Sequence, residues 1–344
     1  MAARKRAAFF LNYFFVSLQK NPYYKMGKKI KILFIDKVHA SMQLRLEELG
    51  FECDNSNLSY EDLLEKASEY TGYIIRNKFA IDKILIDAST QLKFIARIGA
   101  GMENIDVQYA TEKNIACINS PEGNADAVAE YVIGSLLCLF RNTKRADSEV
   151  REGIWLRNEN RGLEICNKTI GIIGYGHMGK ALAKKLNGFD CQLLAYDKYK
   201  TNYEDQYIRA ADLPILQQEA DIVSIHINYL PENYHFIDNE FLANFAKNIY
   251  LVNTSRGKVL STEDLVTNLS SGKVKGAVLD VLEYESIHLQ NKPMEEWDRA
   301  MYYLADCDDV ILSPHIAGQT MESIEKHYDI IISKIKHIFF TIVR

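Results

Sequence analysis

Between residues 170 and 179 the chain reads Ile170-Gly171-Ile172-Ile173-Gly174-Tyr175-Gly176-His177-Met178-Gly179. An apolar, strand-forming run leads here into a Gly-x-Gly-x-x-Gly pattern that opens a helix-forming stretch. Gly174 suits a tight turn, Gly176 lets the backbone approach a pyrophosphate, and Gly179 allows a helix to pack closely on a strand. The free N–H groups and positive dipole end of the helix favour a bound anion. The stretch therefore predicts a dinucleotide-binding βαβ unit.

The end of the next predicted strand supports this interpretation. Asp197 follows the apolar run Gln192–Tyr196. A carboxylate at that position accepts hydrogen bonds from the ribose hydroxyls of NAD and repels the 2′-phosphate of NADP. Lys198 and Lys200 follow closely and weaken that preference, so its strictness stays open. We expect NAD as the cofactor, with these ligands so far: Gly174, Tyr175, Gly176, His177, Met178, Gly179 and Asp197.

The order of apolar runs along the chain predicts two doubly wound parallel sheets. Short strands alternate with amphipathic helices up to residue 118, and a second series of six strands starts at Thr169. Ala125–Val150 between them is predicted as one long helix that links two domains. The final helix, Thr320–Phe340, is expected to pack on the N-terminal sheet. The expected α/β architecture is a Rossmann NAD domain (121–313) inserted in a flavodoxin-like substrate domain (28–120 and 314–344).

Composition is that of an ordinary globular protein of two domains. The 344 residues are 47% hydrophobic and 25% charged, with a net charge of -5. Without a block of Lys or Arg, this charge gives no general attraction to nucleic acid. The six cysteines are scattered without Cys-x-x-Cys or a Cys/His cluster, which favours reduced thiols over disulfides or a metal site. We expect a cytoplasmic protein without metal, nucleic-acid or membrane partners.

The N-terminus complicates the prediction of compartment. A basic start (Arg4, Lys5 and Arg6) precedes an apolar run, as in a signal peptide, but no small-x-small cleavage site follows. The run is also too short to span a bilayer. Met26 offers a second start that leads directly into a strand. We interpret residues 1–27 as an extension outside the folded core.

Four further blocks accompany the glycine stretch. They are Ala96-Arg97-Ile98-Gly99-Ala100-Gly101-Met102-Glu103-Asn104-Ile105-Asp106, Asn119-Ser120-Pro121-Glu122-Gly123-Asn124-Ala125-Asp126-Ala127-Val128-Ala129-Glu130, Val252-Asn253-Thr254-Ser255-Arg256-Gly257 and Ser313-Pro314-His315-Ile316-Ala317-Gly318. In this order the five blocks resemble the D-isomer-specific 2-hydroxyacid dehydrogenases, over nearly all of the chain from about Lys28. The first two of the four are most similar to the phosphoglycerate dehydrogenases of that family.

The resemblance implies a catalytic set of Arg256, Glu285 and His315. Arg256 would bind the substrate carboxylate and carbonyl, and His315 would transfer the proton while paired with Glu285. The chemistry asks for the same residue types, since an arginine fork suits a carboxylate and the alkoxide formed by hydride transfer needs an acid active near neutral pH. Ser286 follows Glu285 where relatives have proline, and the segment to His315 is longer than usual, so Glu283 is the fallback. The implied cofactor ligands further include Thr254, Ser255, Arg256, Asp280, His315 and Gly318.

The resemblance also implies a substrate-binding set in the first domain: Arg76, Arg97, Gly99, Ala100 and Gly101, acting with Arg256. Two arginines at strand ends suit a doubly charged substrate, although either could instead form a surface ion pair. We expect a homodimer that interconverts D-3-phosphoglycerate and 3-phosphohydroxypyruvate in serine biosynthesis. Alternatives are a generalist glyoxylate/hydroxypyruvate reductase, a D-lactate dehydrogenase, or a non-catalytic NAD-sensing protein of the corepressor kind.

Two further expectations concern the C-terminus and four of the other histidines. The chain ends soon after His315, which predicts that the serine-binding regulatory domain of many phosphoglycerate dehydrogenases is lacking. No motif surrounds His235, His288, His327 or His337, which are expected to face solvent or to pack.

Overall fold

The computed structural model of the protein describes residues 30–285 and 293–340. It divides into two compact units, Met1–Gly123 with Ile324–Arg344, and Asn124–Ser323. The predicted extension at 1–27 lies outside the described residues. Ile316 and Ala317, which follow the predicted boundary at residue 314, bind Asp280 of the second unit through their backbone N–H groups. The predicted domain bounds stay a prediction.

The described residues form twelve strands and twelve α-helices. The strands are β1 (Lys31–Phe34), β2 (Glu52–Asp54), β3 (Gly72–Ile75), β4 (Phe94–Arg97), β5 (Ala116–Ile118), β6 (Thr169–Ile173), β7 (Gln192–Tyr196), β8 (Arg209–Ala210), β9 (Ile222–Ile225), β10 (Ile249–Asn253), β11 (Val274–Leu279) and β12 (Val310–Leu312). The helices are α1 (Ala40–Glu47), α2 (Tyr60–Lys66), α3 (Lys83–Ala88), α4 (Val107–Glu112), α5 (Ala125–Phe140), α6 (Thr143–Arg151), α7 (His177–Leu186), α8 (Leu213–Glu219), α9 (Asn239–Ala243), α10 (Thr262–Ser270), α11 (Arg299–Asp306) and α12 (Met321–Phe340).

The first unit is built on a five-stranded parallel sheet in the order β2-β1-β3-β4-β5. Successive residues of β1 serve opposite faces: Ile32 packs with the α12 residues Ile331 and Ile335, and Leu33 packs with Leu63 and Leu85 on the other face. This confirms the expected packing of the last helix on the N-terminal sheet. The strand order reverses between β1 and β3, and such a switch point is where open α/β sheets bind ligands.

The second unit is a seven-stranded parallel sheet in the order β12-β11-β10-β9-β6-β7-β8. Its central strands are mostly buried, as β6 and β9 show with every residue buried, because helices cover both faces. Here the order reverses between β6 and β9, beside the glycine stretch. Together the two sheets confirm the predicted fold class.

The sequence did not predict β2, β8 or the end of α5. Both strands are short and partly exposed edge strands, so neither has a run of buried residues to mark it. The helix predicted over Ala125–Val150 is in fact two, because Asn142 between α5 and α6 takes a left-handed conformation with φ 49°. Asparagine adopts that conformation more readily than most residues, and it ends a helix.

Polar side chains cap the N-termini of several helices. Ser59 forms a capping box with Asp62 at α2, and Asp212 caps α8 ahead of a proline in its first turn. Such caps satisfy backbone N–H groups that have no intrahelical acceptor. Among the described residues, no helix is long and apolar enough to cross a membrane.

Candidate active site

The glycine stretch forms a tight turn between β6 and α7. Gly174 has φ 92°, and a Cβ there would come within 2.6 Å of the His226 carbonyl oxygen. A Cβ on Gly179 would lie 2.3 Å from the Gly174 oxygen, so both positions require glycine. A Cβ on Gly176 would instead meet no atom within 4 Å, and no side chain caps the α7 N-terminus that starts there. This open, uncapped helix end fits a pyrophosphate.

Asp197 lies against this turn. Its Oδ2 accepts the Tyr175 N–H at 3.0 Å, and its Oδ1 accepts the Tyr199 N–H at 3.1 Å. Lys200 Nζ is 3.9 Å from Asp197 Oδ2 and donates to the Tyr175 carbonyl. Each carboxylate oxygen keeps a further lone pair that can accept a hydroxyl hydrogen. Asp197 is therefore placed both to hold the glycine turn and to receive a ribose.

Arg256 follows β10 in a turn built around an asparagine. Asn253 Oδ1 accepts both the N–H and the hydroxyl of Ser255, and its Nδ2 donates to the Arg256 carbonyl at 3.0 Å. The next residue, Gly257, is so close to the chain after β11 that a Cβ would lie 2.0 Å from the Leu282 oxygen. Within the described residues, the buried Thr254 hydroxyl has no hydrogen-bond partner, which a cofactor bound here would supply.

The loop that carries His315 is organised by Asp280, which is 1% exposed. The Asp280 carboxylate accepts N–H groups of Ile316 and Ala317, each at 2.8 Å, and the hydroxyl of Ser313 at 2.5 Å. Its carbonyl accepts the His315 N–H at 2.7 Å, with His315 at φ 59°. Burial raises the pKa of Asp280, and the hydrogen bonds oppose that rise. In this structure Asp280 positions the histidine loop, and its role as a cofactor ligand stays a prediction.

His315 pairs with Glu285, as predicted. Its Nδ1 lies 3.3 Å from the Glu285 carboxylate, and both side chains are partly exposed. Glu283, the fallback, is engaged elsewhere, because its Oε1 is 2.5 Å from His235 Nε2 and its Oε2 accepts the Thr262 N–H. With Nδ1 directed to a carboxylate, Nε2 is the ring nitrogen that is left for proton exchange with another group. The segment 286–292, which holds the unusual residue after Glu285, lies outside the described residues.

These side chains come from the carboxyl ends of adjacent strands. Arg256 follows β10, Glu285 follows β11 and His315 follows β12, and these three strands are neighbours in the sheet. The last predicted cofactor ligand, Gly318, has no room for a side chain, since a Cβ would lie 2.3 Å from Asn124 Nδ2. The second unit thus brings an arginine, a carboxylate–imidazole pair and an uncapped helix N-terminus to one edge of its sheet.

In the first unit, Arg76 directly follows β3 and Arg97 ends the neighbouring strand β4. Arg97 Nη2 donates to Asn77 Oδ1 at 2.9 Å, and the backbone of Arg76 and Asn77 is held by Asp36 at 2.6 and 3.3 Å. Gly99 has φ 141°, and a Cβ there would be 2.0 Å from Arg97 Nη1. The guanidinium of Arg97 therefore lies over the loop of Gly99, Ala100 and Gly101.

Several residues of this cluster were not predicted as site residues: Asp36, Asn77, Ser120 and His327. Asp36 follows β1 at the switch point, a position that could have been found from the strand pattern. Ser120 and His327 meet at 2.7 Å although they are far apart in the chain. Of the two predicted environments for His327, packing rather than exposure to solvent is correct, since its side chain is buried. No pattern in the neighbouring sequence indicates its contact with Ser120.

Residues 133–317 match the NAD-binding domain of the D-isomer-specific 2-hydroxyacid dehydrogenases. The chain belongs to that family. It is an NAD-dependent oxidoreductase acting on CH–OH groups, which confirms the predicted enzyme class and cofactor. The glycine turn and the uncapped α7 N-terminus described above fit that cofactor.

Relatives of this dehydrogenase differ in their named substrates. It is 34% identical to a hydroxypyruvate reductase of Thermotoga maritima over 289 residues, which cover 84% of this chain and 90% of the relative. It is 32% identical to a D-3-phosphoglycerate dehydrogenase of Methanocaldococcus jannaschii, covering 90% of this chain but 57% of that protein. Among solved structures it resembles a D-lactate dehydrogenase of Aquifex aeolicus complexed with NAD and lactic acid, with 26% identity and TM-score 0.76 over 89% of this chain and 94% of that one.

Proposed function

We propose that this dehydrogenase interconverts D-3-phosphoglycerate and 3-phosphohydroxypyruvate, and so serves serine biosynthesis. The observation that carries the proposal is the pair of arginines, Arg76 and Arg97, at the ends of adjacent strands in the first unit. A substrate with a carboxylate and a phosphate needs more cations than Arg256 alone supplies. Arginine is suited to both groups because its planar fork matches their oxygens.

Arg256, Glu285 and His315 perform the chemistry at the 2-carbon in this proposal. NAD would supply the hydride acceptor for the hydroxyl-bearing carbon when it is bound at the glycine turn. Arg256 holds the adjacent carboxylate through two N–H groups and polarises the 2-oxygen. His315 takes the hydroxyl proton at Nε2 and returns it in the reverse direction, and Glu285 stabilises the protonated imidazole through Nδ1. These roles are supported by the 3.3 Å contact between Glu285 and His315.

Arg76, Arg97 and the loop of Gly99, Ala100 and Gly101 bind the second anionic group. The loop contributes the backbone N–H groups of Ala100 and Gly101, because the Gly99 N–H donates to the Ser120 hydroxyl oxygen at 3.2 Å. A charge-assisted contact of this kind contributes roughly 1.5–3 kcal/mol, or about ten- to a hundredfold in preference. The observed support is the Arg97 guanidinium over Gly99 and the fixed backbone at Arg76.

A second candidate is reduction of unphosphorylated hydroxypyruvate. It is favoured by the match to the hydroxypyruvate reductase, which extends over 90% of that relative. The two substrates differ by one phosphate, so the arginine pair decides between them.

The experiment compares kcat/KM for 3-phosphohydroxypyruvate and hydroxypyruvate, with NADH, in wild type and in Arg76→Ala and Arg97→Ala. Arg45→Ala, which removes a surface arginine paired with Asp329, is the matched control. We expect at least a tenfold wild-type preference for the phosphorylated acid, lost in the first two variants and kept in the control. A wild-type preference for hydroxypyruvate, or an unchanged ratio in Arg76→Ala, would refute the phosphate assignment and leave the dehydrogenase class intact.

We also infer that the enzyme is a cytoplasmic homodimer. Support for self-association comes from three consecutive exposed apolar residues after α6, Ile154, Trp155 and Leu156, of which Trp155 is 74% exposed. Light scattering of Trp155→Ser should show a shift from dimer to monomer, and a wild-type monomer would contradict the assembly. The six unpaired cysteines support a reducing compartment.

A further inference from the structure

A buried histidine of the last helix contacts the chain segment next to the glycine loop of the first unit. His327 on α12 is 7% exposed, and its Nδ1 lies 2.7 Å from the hydroxyl oxygen of the fully buried Ser120. The approach is close enough that a Cβ on Gly123 would lie 2.5 Å from the same ring nitrogen. The contact therefore joins two segments that are 207 residues apart in sequence.

Ser120 in turn holds the first residue of the loop. The Gly99 N–H donates to the Ser120 hydroxyl oxygen at 3.2 Å, and the Ser120 N–H donates to the Gly99 carbonyl at 2.9 Å. A hydroxyl can accept one hydrogen bond while donating another. Ser120 can thus accept from Gly99 and donate to His327 Nδ1, provided that this nitrogen carries no proton.

A second connection runs beside the first. Asn119 Nδ2 donates to the Ala100 carbonyl at 2.6 Å, and Lys334 Nζ donates to the Asn119 carbonyl at 2.8 Å. His327 and Lys334 are two helical turns apart, so they project from one face of α12. That face therefore supports Asn119 and Ser120, which hold Ala100 and Gly99 respectively.

The surroundings keep His327 uncharged. Burial, reinforced by the positive charges of Arg97 and Arg76, lowers the pKa of His327 to about 4, although the Ser120 backbone and Glu122 act in the opposite direction. A neutral imidazole can accept the Ser120 hydrogen at Nδ1, whereas an imidazolium cannot. The position thus provides a hydrogen-bond acceptor beside two arginines without adding a third positive charge.

We propose that His327 is a positioning residue for substrate recognition, which acts through Ser120 to fix Gly99 and the Arg97 guanidinium that lies over it. The inference rests on the proposed role of Arg97 and the glycine loop in binding substrate. His327 itself contacts no substrate. Recognition groups held by a second layer of hydrogen bonds lose affinity when that layer is removed, because the binding geometry is no longer fixed in advance.

The test compares His327→Leu with His327→Asn, whose side-chain amide can restore a hydrogen bond near Nδ1. We expect the leucine variant to raise KM for keto acid about tenfold, with kcat and the KM for NADH within about twofold of wild type. The asparagine variant should recover most of this loss. The same substitutions at His337, an exposed histidine of the same helix, should leave all three constants unchanged.

Ser120→Ala provides a second route to the same contact if His327→Leu folds poorly. It should raise KM for keto acid to a similar extent, and the double variant should be no worse than either single one, because both remove one network. Unchanged KM in both single variants, equal losses for keto acid and NADH, or purely additive effects would each overturn the proposal. Assays with hydroxypyruvate as well as its phosphate separate this result from the phosphate assignment, since a positioning defect raises KM for both acids.

Discussion

Glu285 lies 3.3 Å from Nδ1 of His315, across 30 residues of the chain. The contact depends on two different supports. His315 takes a left-handed backbone conformation at φ 59°, in a loop whose N–H groups bind Asp280. The nearby Glu283 is held away by His235 and the Thr262 N–H. The pairing of one glutamate rather than the other follows from these neighbours.

Replacing His315 by alanine should abolish most turnover and leave cofactor affinity nearly intact. In the proposed reaction the imidazole acts on the substrate oxygen, and loss of a positioned acid costs about two to four orders of magnitude in rate. Stopped-flow measurement of kcat together with NADH titration by fluorescence would check both parts. A near-wild-type rate would remove His315 from the mechanism.

Glu285→Gln should lower kcat, whereas Glu283→Gln should lower the melting temperature. The first removes the charge that stabilises protonated His315, so kcat at neutral pH should fall about ten- to a hundredfold with little change in melting temperature. The second weakens two structural contacts, so the melting temperature should fall by a few degrees with kcat retained. Steady-state kinetics and thermal melts of both variants are the measurements. A loss of kcat in Glu283→Gln but not in Glu285→Gln would make Glu283 the partner of His315.

Asp197→Ala should raise the KM for NAD and relax discrimination against NADP. The variant removes the carboxylate that would bind the ribose and repel a 2′-phosphate, and it also frees the Tyr175 N–H. Asp205→Asn, which alters the contact of the Tyr175 hydroxyl, is the control on the same turn. The ratio of kcat/KM for NAD and NADP is the measurement. An unchanged ratio in Asp197→Ala would argue against the ribose role.

Alanine at Gly176 and at Gly179 should separate binding from folding. A Cβ on Gly176 meets open space, so Gly176→Ala should fold normally but raise the KM for NAD where the side chain intrudes on the pyrophosphate site. A Cβ on Gly179 would lie 2.3 Å from the Gly174 oxygen, so that variant should lose about 1–3 kcal/mol of stability. Thermal melts without cofactor compare the stability of the two variants, and the KM for NAD reports cofactor binding. Equal melting temperatures for the two variants would contradict this geometry.

Mild acid should destabilise the wild type more than His327→Asn. An unfolded histidine has a pKa near 6.5, whereas burial and two arginines lower that of folded His327 to about 4. Between these values the unfolded chain binds more protons, so the free energy of unfolding falls as pH decreases, by at most about 1.4 kcal/mol per pH unit for this group. The gap in melting temperature between wild type and variant should therefore narrow from pH 7 to pH 5. A constant gap would show that His327 does not titrate on unfolding.

Local patterns in the sequence were enough to predict several features of the fold and of the site. Alternating apolar runs predicted both parallel sheets, and the spacing of Gly174, Gly176 and Gly179 predicted the cofactor turn. Both kinds of pattern involve residues that are close together in the sequence. The blocks around Arg256 and His315 likewise identified the family, since they are short and contiguous.

The relationships between distant residues became clear only in the folded chain. The fold placed the predicted partner, Glu285, beside His315 and engaged the fallback, Glu283, elsewhere, and it brought His327 to Ser120 from 207 residues away. It also broke the predicted long helix at Asn142, where a left-handed residue ends α5. The physical reason is that hydrogen bonds and burial depend on which segments the fold brings together, and neither His327 nor Glu283 carries that information in its neighbouring residues.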